Sequence, residues 1–404
     1  MTTTPYLVSW NITKRCNLRC AHCYLDSDEL RGSDDISTAG AKGIMDQIAS
    51  LASGAMVVLT GGEPLLRDDI FELAAYASKN GLSVVLGTNG TLLDDATAAA
   101  IGESGIKGVG VSLDSTRPAV HDSLRGVRGA WQATVEGMER LRRAGVAFQV
   151  QFTVTRENKD EVEDAAVFSE GIGASGVNFF FLVCTGRGQD VTDLDAEEYE
   201  GVLQRIVALA DGYGTRLMVR ARCAPHILRV AKERSPESVL LRGATSGCIA
   251  ARGYLRIDPQ GLVTPCPYIP PGAVGASSLG EKDLGDIWRN DPVFRAMRDP
   301  SYKGRCGDCE YDALCGGCRA RALAEKGDIM AEDPWCTYEP RGGQKGPSVS
   351  ARPVWTAEAE ERLKRVPVFV REMVRRGVEH YAASKGIREI TPELLMQLRQ
   401  RRVR

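Results

Sequence analysis

The sequence predicts an α/β protein: a partial (β/α)6 barrel, then a cysteine-rich domain, then a small helical C-terminal module. Three observations carry this. Between residues 6 and 183, short apolar runs rich in β-branched residues alternate with stretches of helical period, the pattern of parallel βα units. Seven of the 12 cysteines crowd between residues 248 and 336 at short paired spacings. Residues 340–353 are rich in Gly, Ser and Pro and read as a linker, after which helix-start signals and basic charge resume. The expected divisions are a barrel over 1–185, a connecting α/β segment over 186–245, a cysteine domain over 246–340, a linker over 341–354 and a basic helical module over 355–404.

Six strands are expected at residues 6–12, 56–60, 82–87, 108–113, 148–155 and 177–183. In parallel βα architectures ligands gather at the carboxyl ends of the strands, where the loops converge. The first strand runs into Cys16-Asn-Leu-Arg-Cys20-Ala-His-Cys23-Tyr24. Three thiolates at this spacing can hold three corners of a cubane iron–sulfur cluster and leave one iron without a protein ligand. A zinc site is the alternative, but zinc usually draws on two CxxC halves, and no second half lies within reach.

The next strand ends bear on the same loop. Thr60-Gly61-Gly62-Glu63-Pro64 combines two glycines, which permit close approach of the backbone, with a carboxylate; a tight turn into a helix would explain the glycines alone. The third strand ends in Gly87-Thr88-Asn89-Gly90 and the fourth in Ser112-Leu113-Asp114, short polar residues that turns also require. Beyond them stands His121-Asp-Ser-Leu-Arg125-Gly126, where the arginine suits either a carboxylate ligand or an ordinary ion pair.

In the second half, a helix is expected near residues 197–210, a strand near 216–220, and Cys223 precedes Pro225. Then follow Cys248, twelve residues, Gly261, four residues, Cys266, and later Cys306-x2-Cys309-x5-Cys315-x2-Cys318 and Cys336. Paired thiols beside Gly and Pro are ligand spacing; a double zinc ribbon is the rival reading. In the tail, Thr356 can cap one helix, Pro367 can start a second that Gly386 ends, and Thr391-Pro392 can begin a third.

Composition limits the choice of function. At 404 residues and 43% hydrophobic content the chain can bury a large core. No apolar run approaches a membrane span, and the start Met-Thr-Thr-Thr-Pro does not read as a secretory signal, so no membrane and a cytoplasmic location are expected. Twelve cysteines in that setting argue for thiolate ligands over disulfides. Residues 341–404 hold 15 Lys and Arg against seven Asp and Glu, so the tail carries +8 and the remainder −10. No nucleic-acid partner is expected, because aromatics are few and no reader motif is present.

The CxxxCxxC loop resembles the radical S-adenosylmethionine (radical SAM) superfamily, in which the open iron binds the amino and carboxylate groups of SAM. The resemblance implies that Cys16, Cys20 and Cys23 hold a [4Fe-4S] cluster. It also implies that Gly61, Gly62, Glu63 and Pro64 meet the SAM amino group, that Thr88, Asn89, Ser112, Asp114 and Arg125 line the SAM pocket, and that Tyr24 lies near the adenine. His22 would pack on the cluster. The second cysteine group resembles the SPASM domain, a twitch-like auxiliary-cluster extension, with two residues between Cys315 and Cys318 where the family has three. Carried over, Cys306, Cys309, Cys315 and Cys336 hold one auxiliary [4Fe-4S] cluster, and Cys248, Cys266 and Cys318 supply three ligands to another. The family's fourth cysteine is absent, with Tyr254 in its place. Cys223 substitutes for it, or one iron stays open, or only one auxiliary cluster forms.

Four blocks, residues 6–11, 86–92, 180–188 and 315–322, resemble radical SAM enzymes of alternative haem and haem d1 biosynthesis. The run from Val366 to Glu379 resembles the C-terminal domain of the light-independent protochlorophyllide reductase B subunit, a cover over a tetrapyrrole. These resemblances imply an anionic tetrapyrrole substrate and a ferredoxin- or flavodoxin-type reductant. Reductive cleavage of SAM would give a 5′-deoxyadenosyl radical that takes a hydrogen from a propionate or acetate side chain, with loss of the carboxylate. Arg187, Arg371, Arg375 and Arg376 are the expected carboxylate contacts. Two rival classes remain: a SPASM-type peptide-modifying maturase, and a zinc or iron–sulfur scaffold without catalysis.

Overall fold

The structure is a computed structural model that describes residues 4–27, 35–183, 185–191, 194–242, 246–342, 353–366, 374–375, 377–379, 381–382, 387 and 389–400. All six expected strands form, within two residues of their expected ends: β1 (Leu7–Thr13), β2 (Met56–Gly61), β3 (Ser83–Thr88), β4 (Val109–Ser112), β5 (Phe148–Val154) and β6 (Gly176–Phe181). Helices α1 (Thr38–Leu51), α2 (Ile70–Lys79), α3 (Asp95–Glu103), α4 (Pro118–Arg125), α5 (Ala130–Arg143) and α6 (Val162–Gly171) connect them. Each neighbouring pair from β1 to β6 is parallel, so the partial βα barrel is present.

The sheet continues past both ends of that barrel. Helix α7 (Ala196–Tyr213) starts on a capping box between Asp195 and Glu198 and leads to β7 (Met218–Arg222), which pairs with β6. On the other edge, β8 (Tyr254–Ile257) lies parallel to β1, and β9 (Leu262–Thr264) and β10 (Ser277–Ser278) follow antiparallel. The outcome is one ten-stranded sheet in the order β10-β9-β8-β1-β2-β3-β4-β5-β6-β7. The auxiliary domain therefore grows from the first strand of the barrel, and the strand before it from the sixth.

Alternation along each strand separates two environments. Val8, Trp10 and Ile12 of β1, with Val57, Leu59, Val84 and Leu86, are at most 1% exposed and pack into the main core with the helices. The opposite face carries amides and cations. There Asn178 donates to Gln149 at 2.9 Å, Arg222 donates to Asn178 at 2.9 Å, and Arg256 donates to Asn11 at 2.6 Å. A polar row inside a barrel has to meet a ligand or water, since buried polar groups need partners.

In the C-terminal region, Thr356 caps the helix Ala357–Lys364 by accepting the Ala359 N–H, and the helix Pro392–Gln400 begins after Thr391. A short parallel pair, Val354–Trp355 with Glu389–Ile390, joins them, and Ala359, Val378, Ala382, Ile390 and Leu394 form a small core of their own. The expected helix start at Pro367 and end at Gly386 lie outside the described residues. Among the described residues, no helix is long and apolar enough to cross a membrane.

Candidate functional site

The loop bearing Cys16, Cys20 and Cys23 leaves the carboxyl end of β1 and is gripped from several sides. From the end of β2, Gly62 N–H donates to Thr13 O at 2.9 Å and Glu63 N–H to Arg15 O at 2.7 Å. A Cβ on Gly62 would stand 2.1 Å from Arg15 O, so the pair of glycines serves close approach of β2 to the loop itself. From the end of β3, Asn89 donates to Asn17 Oδ1 at 2.9 Å, and Asn17 donates to Thr91 at 2.8 Å. From the end of α4, Leu124 O and Arg125 O accept the N–H groups of Ala21 and Arg19. Beyond β6, Arg187 donates to Cys20 O at 3.0 Å and Ser27 O at 2.8 Å and pairs with Asp26 at 2.6 Å.

Cys16 and Cys20 are buried, with Cys23 packed against them. Leu18 N–H points at Cys16 Sγ, Ser27 N–H at Cys23 Sγ, each at 3.4 Å, and Arg125 Nη1 stands 3.7 Å from Cys20 Sγ. Such donors are what a cluster's thiolates require. Burial pushes the Cys16 thiol up to about 12, so a bound cation must draw the proton off. Three convergent sulfurs with donors aimed at them fit an iron–sulfur cluster.

Behind the loop sits a buried carboxylate. Asp114 is 0% exposed, lies 2.6 Å from Arg125 Nη2 and 3.6 Å from His22 Nε2, and accepts the Thr153 N–H at 3.0 Å. Burial raises its carboxyl, but the charges of Arg125, His22 and His121 outweigh it and hold the group below the usual range. Glu63 is also wholly buried: it accepts from Thr88 Oγ1 and Asn89 N–H at 2.8 Å and from Leu65 N–H at 3.1 Å. Burial pushes it up to about 7. Glu63 thus ties β2 to β3, and Pro64 opens the short turn after it. Ser112 ends β4 opposite Gln151. Tyr24 accepts from Asn11 at 2.9 Å and packs edge-on against Tyr268 at 5.3 Å.

The later cysteines fall into two sets. Cys306, Cys309, Cys315 and Cys336 line one cleft together with Arg229, Asp333 and Tyr338. Tyr311 N–H points at Cys309 Sγ (3.4 Å), Gly317 N–H at Cys315 Sγ (3.5 Å) and Asp333 N–H at Cys306 Sγ (3.5 Å). The second set is Cys248, Cys266, Cys318 and, from the loop after β7, Cys223; Gly247, just before Cys248, stands against Pro225, and its N–H donates to Leu314 O at 2.6 Å, just before Cys315. Among the described residues no three His, Cys, Asp or Glu groups are drawn tightly enough around one point to hold a single metal ion. Around one zinc, sulfurs would lie about 3.8 Å apart.

Of the expected substrate contacts, Arg187 is engaged by the cysteine loop and Arg375 by Glu360, Glu379 and the Trp355 ring. Arg371 and Arg376 lie outside the described residues. Sequence reasoning missed the cations of β7 and β8. Arg222 is exposed and Arg220 half-buried, and among the described residues neither has a carboxylate partner, nor does Arg256. Their alternation along the strand was the available signal.

An open βα barrel that presents three thiols at its strand ends, with further thiol sets beside it, defines an iron–sulfur enzyme that uses SAM. The chain belongs to the radical SAM superfamily, whose family model matches residues 10–168; an iron-sulfur cluster-binding domain (SPASM) matches 248–310, and the proto-chlorophyllide reductase 57 kD subunit family matches 355–399. Among its relatives, the AdoMet-dependent heme synthase of Methanosarcina barkeri is 37% identical over 84% of this chain and 98% of its own. The pre-heme d1 synthase of Dinoroseobacter shibae is 32% identical over 82% and 87%, and a mycofactocin maturase of Mycobacterium ulcerans 32% over 82% and 88%. SuiB of Streptococcus suis, solved with S-adenosylmethionine, shares the fold: TM-score 0.67 at 19% identity, over 83% of this chain and 78% of SuiB.

Proposed function

We propose that this enzyme decarboxylates or removes carboxylate side chains of an anionic tetrapyrrole in haem or haem d1 formation. Cys16, Cys20 and Cys23 hold the cluster that meets SAM, and Cys306, Cys309, Cys315 and Cys336 hold an auxiliary cluster. When bound, cluster and SAM together supply one electron and a carbon radical able to take hydrogen from an unactivated carbon. The residues of this chain do the rest. Asp114 and Arg125 fix the floor of the cysteine loop, and Arg187 fixes its outer side. Arg220, Arg222 and Arg256 offer the substrate carboxylates a charged seat inside the barrel, where guanidinium forks bind carboxylates well. Loss of a hydrogen atom and carbon dioxide from a propionate leaves a vinyl group and one electron, which an auxiliary cluster is suited to accept.

The observation that carries the substrate choice is that Arg220 and Arg222 of β7 and Arg256 of β8, on the polar face of the sheet, have no carboxylate partner among the described residues; the likeness to heme synthases agrees with it. Reduced enzyme with SAM should be given iron-coproporphyrin and, separately, didecarboxysirohaem, and the products weighed. A loss of one or two carboxylates from either supports the reading. If neither tetrapyrrole changes mass and a peptide does, the enzyme is a maturase, the class the mycofactocin relative represents.

A further inference from the structure

We propose that Cys223 is the fourth thiolate of a second auxiliary cluster, joining Cys248, Cys266 and Cys318, so that every iron of that cluster is bound to protein. The proposal rests on the auxiliary-cluster reading above and deepens it. Cys223 lies outside residues 248–310 matched by the SPASM family, and nothing in its own spacing marks it as a ligand.

Three features bring it to the set. Directly after β7, Cys223 adopts φ 58°, one of three non-glycine residues among those described with a left-handed backbone. That conformation is costly for a cysteine and persists where surrounding contacts dictate it. Two residues on, Pro225 is pressed against Gly247: a Cβ there would stand 2.5 Å from Pro225 O, so only glycine lets the two segments touch. Gly247 N–H in turn donates to Leu314 O at 2.6 Å. The residue before Cys248 is therefore pinned at once to the Cys223 loop and to the loop of Cys315 and Cys318. Cys266 enters just after β9, its carbonyl held by the Thr264 hydroxyl at 3.0 Å. A solitary core thiol would not need a left-handed backbone held beside the segments that carry Cys248 and Cys318.

Two consequences follow. A cluster with four protein thiolates has no iron free for substrate, so it exchanges electrons without bonding the macrocycle. Arg222 is the residue before Cys223, so a carboxylate held on Arg222 stands beside this cluster, on a short path for the electron that decarboxylation releases.

The test uses the full chain, reconstituted anaerobically as wild type, Cys223→Ala and Cys223→Ser, with iron and sulfide counted and each form examined by EPR and Mössbauer spectroscopy. The wild type should hold about 12 irons in three four-iron clusters. Cys223→Ala should lose from one to four of them, with a three-iron EPR signal where one is lost. Cys223→Ser, which keeps the shape of the side chain, should shift the spectrum of one cluster and is read in the same way if the alanine variant is insoluble. About 12 irons and unaltered spectra in the variants overturn the proposal alone. A wild type with only about four irons, or with zinc, overturns the auxiliary-cluster reading beneath it.

Discussion

Arg321 and Asp333 face each other through two hydrogen bonds, Nε to Oδ1 at 2.8 Å and Nη2 to Oδ2 at 3.0 Å, with both side chains wholly buried. The same aspartate donates its N–H to Cys306 Sγ at 3.5 Å and accepts the Cys318 N–H at 2.6 Å, so one residue touches both later thiol sets. Arg321 lies over the rings of Trp335 and Tyr199, 4.4 and 4.9 Å from their centres, and Tyr199 reaches His226 at 2.9 Å. Hydrogen bonds to cluster sulfurs tune potential and position, and this ion pair holds one such donor, the Asp333 N–H, and the backbone of Cys318 in place.

Removing one partner of a buried pair leaves an uncompensated charge. Asp333→Ala should cost about 3–5 kcal/mol in urea unfolding of the protein, while Asp333→Leu with Arg321→Met should recover much of that loss. A loss below about 1 kcal/mol in Asp333→Ala would show that the pair is not structural.

The grip of β2 on the cysteine loop gives a matched pair of variants. Gly62→Ala would force a methyl group to within 2.1 Å of Arg15 O, and should abolish iron binding by the first cluster and SAM cleavage with it. Gly43→Ala, inside α1 with nothing within 4 Å, should be neutral or stabilise by about 0.5–1 kcal/mol. Iron content and thermal melts separate the two; equal iron in both would refute the role given to Gly62.

Glu63 supplies a pH signature. Its carboxyl is pushed up to about 7 by burial, against 4.5 as the ordinary value, so the folded form holds a proton that the unfolded chain releases. Its contribution is fully present below 4.5 and is lost as pH rises through about 7. Thermal stability of the cluster-free protein should therefore fall over that window by about 3 kcal/mol, and Glu63→Gln should flatten the slope. A slope unchanged in the variant assigns it to another group.

Much of this was legible in sequence because it is periodic or local. Trp10, Ile12 and their neighbours announce β1 by alternation, and Cys16, Cys20 and Cys23 announce their site by spacing. Cys223 was legible only as one of three alternatives for the missing ligand, because 24 residues and a helix, α8 (Ile227–Arg234), separate it from Cys248, and the Pro225–Gly247 contact that closes that gap cannot be read from spacing. The contact of Gly61 and Gly62 with the backbone of residues 13–15 was not legible, because sequence cannot say which backbone a glycine lets in. Arg187 looked free for the same reason: its partners Cys20, Asp26 and Ser27 lie over 150 residues away.

The arginines proposed to seat the substrate yield the last prediction. Arg222→Ala, and Arg220→Ala beside it, each remove a charged donor from the inner face of the barrel; a hydrogen bond between charged groups contributes about 1.5–3 kcal/mol, so KM for the tetrapyrrole should rise about ten- to a hundredfold. Cleavage of SAM without substrate should continue, because among the described residues no hydrogen bond or ion pair joins either arginine to the cysteine loop. Arg375, by contrast, is committed to Glu360 and Glu379 within the C-terminal region, and Arg375→Ala should change KM by no more than about twofold. Steady-state rates at fixed SAM decide between the two surfaces. If Arg375→Ala raises KM and the β7 variants do not, the macrocycle is held by the C-terminal module and the inner arginines have another task.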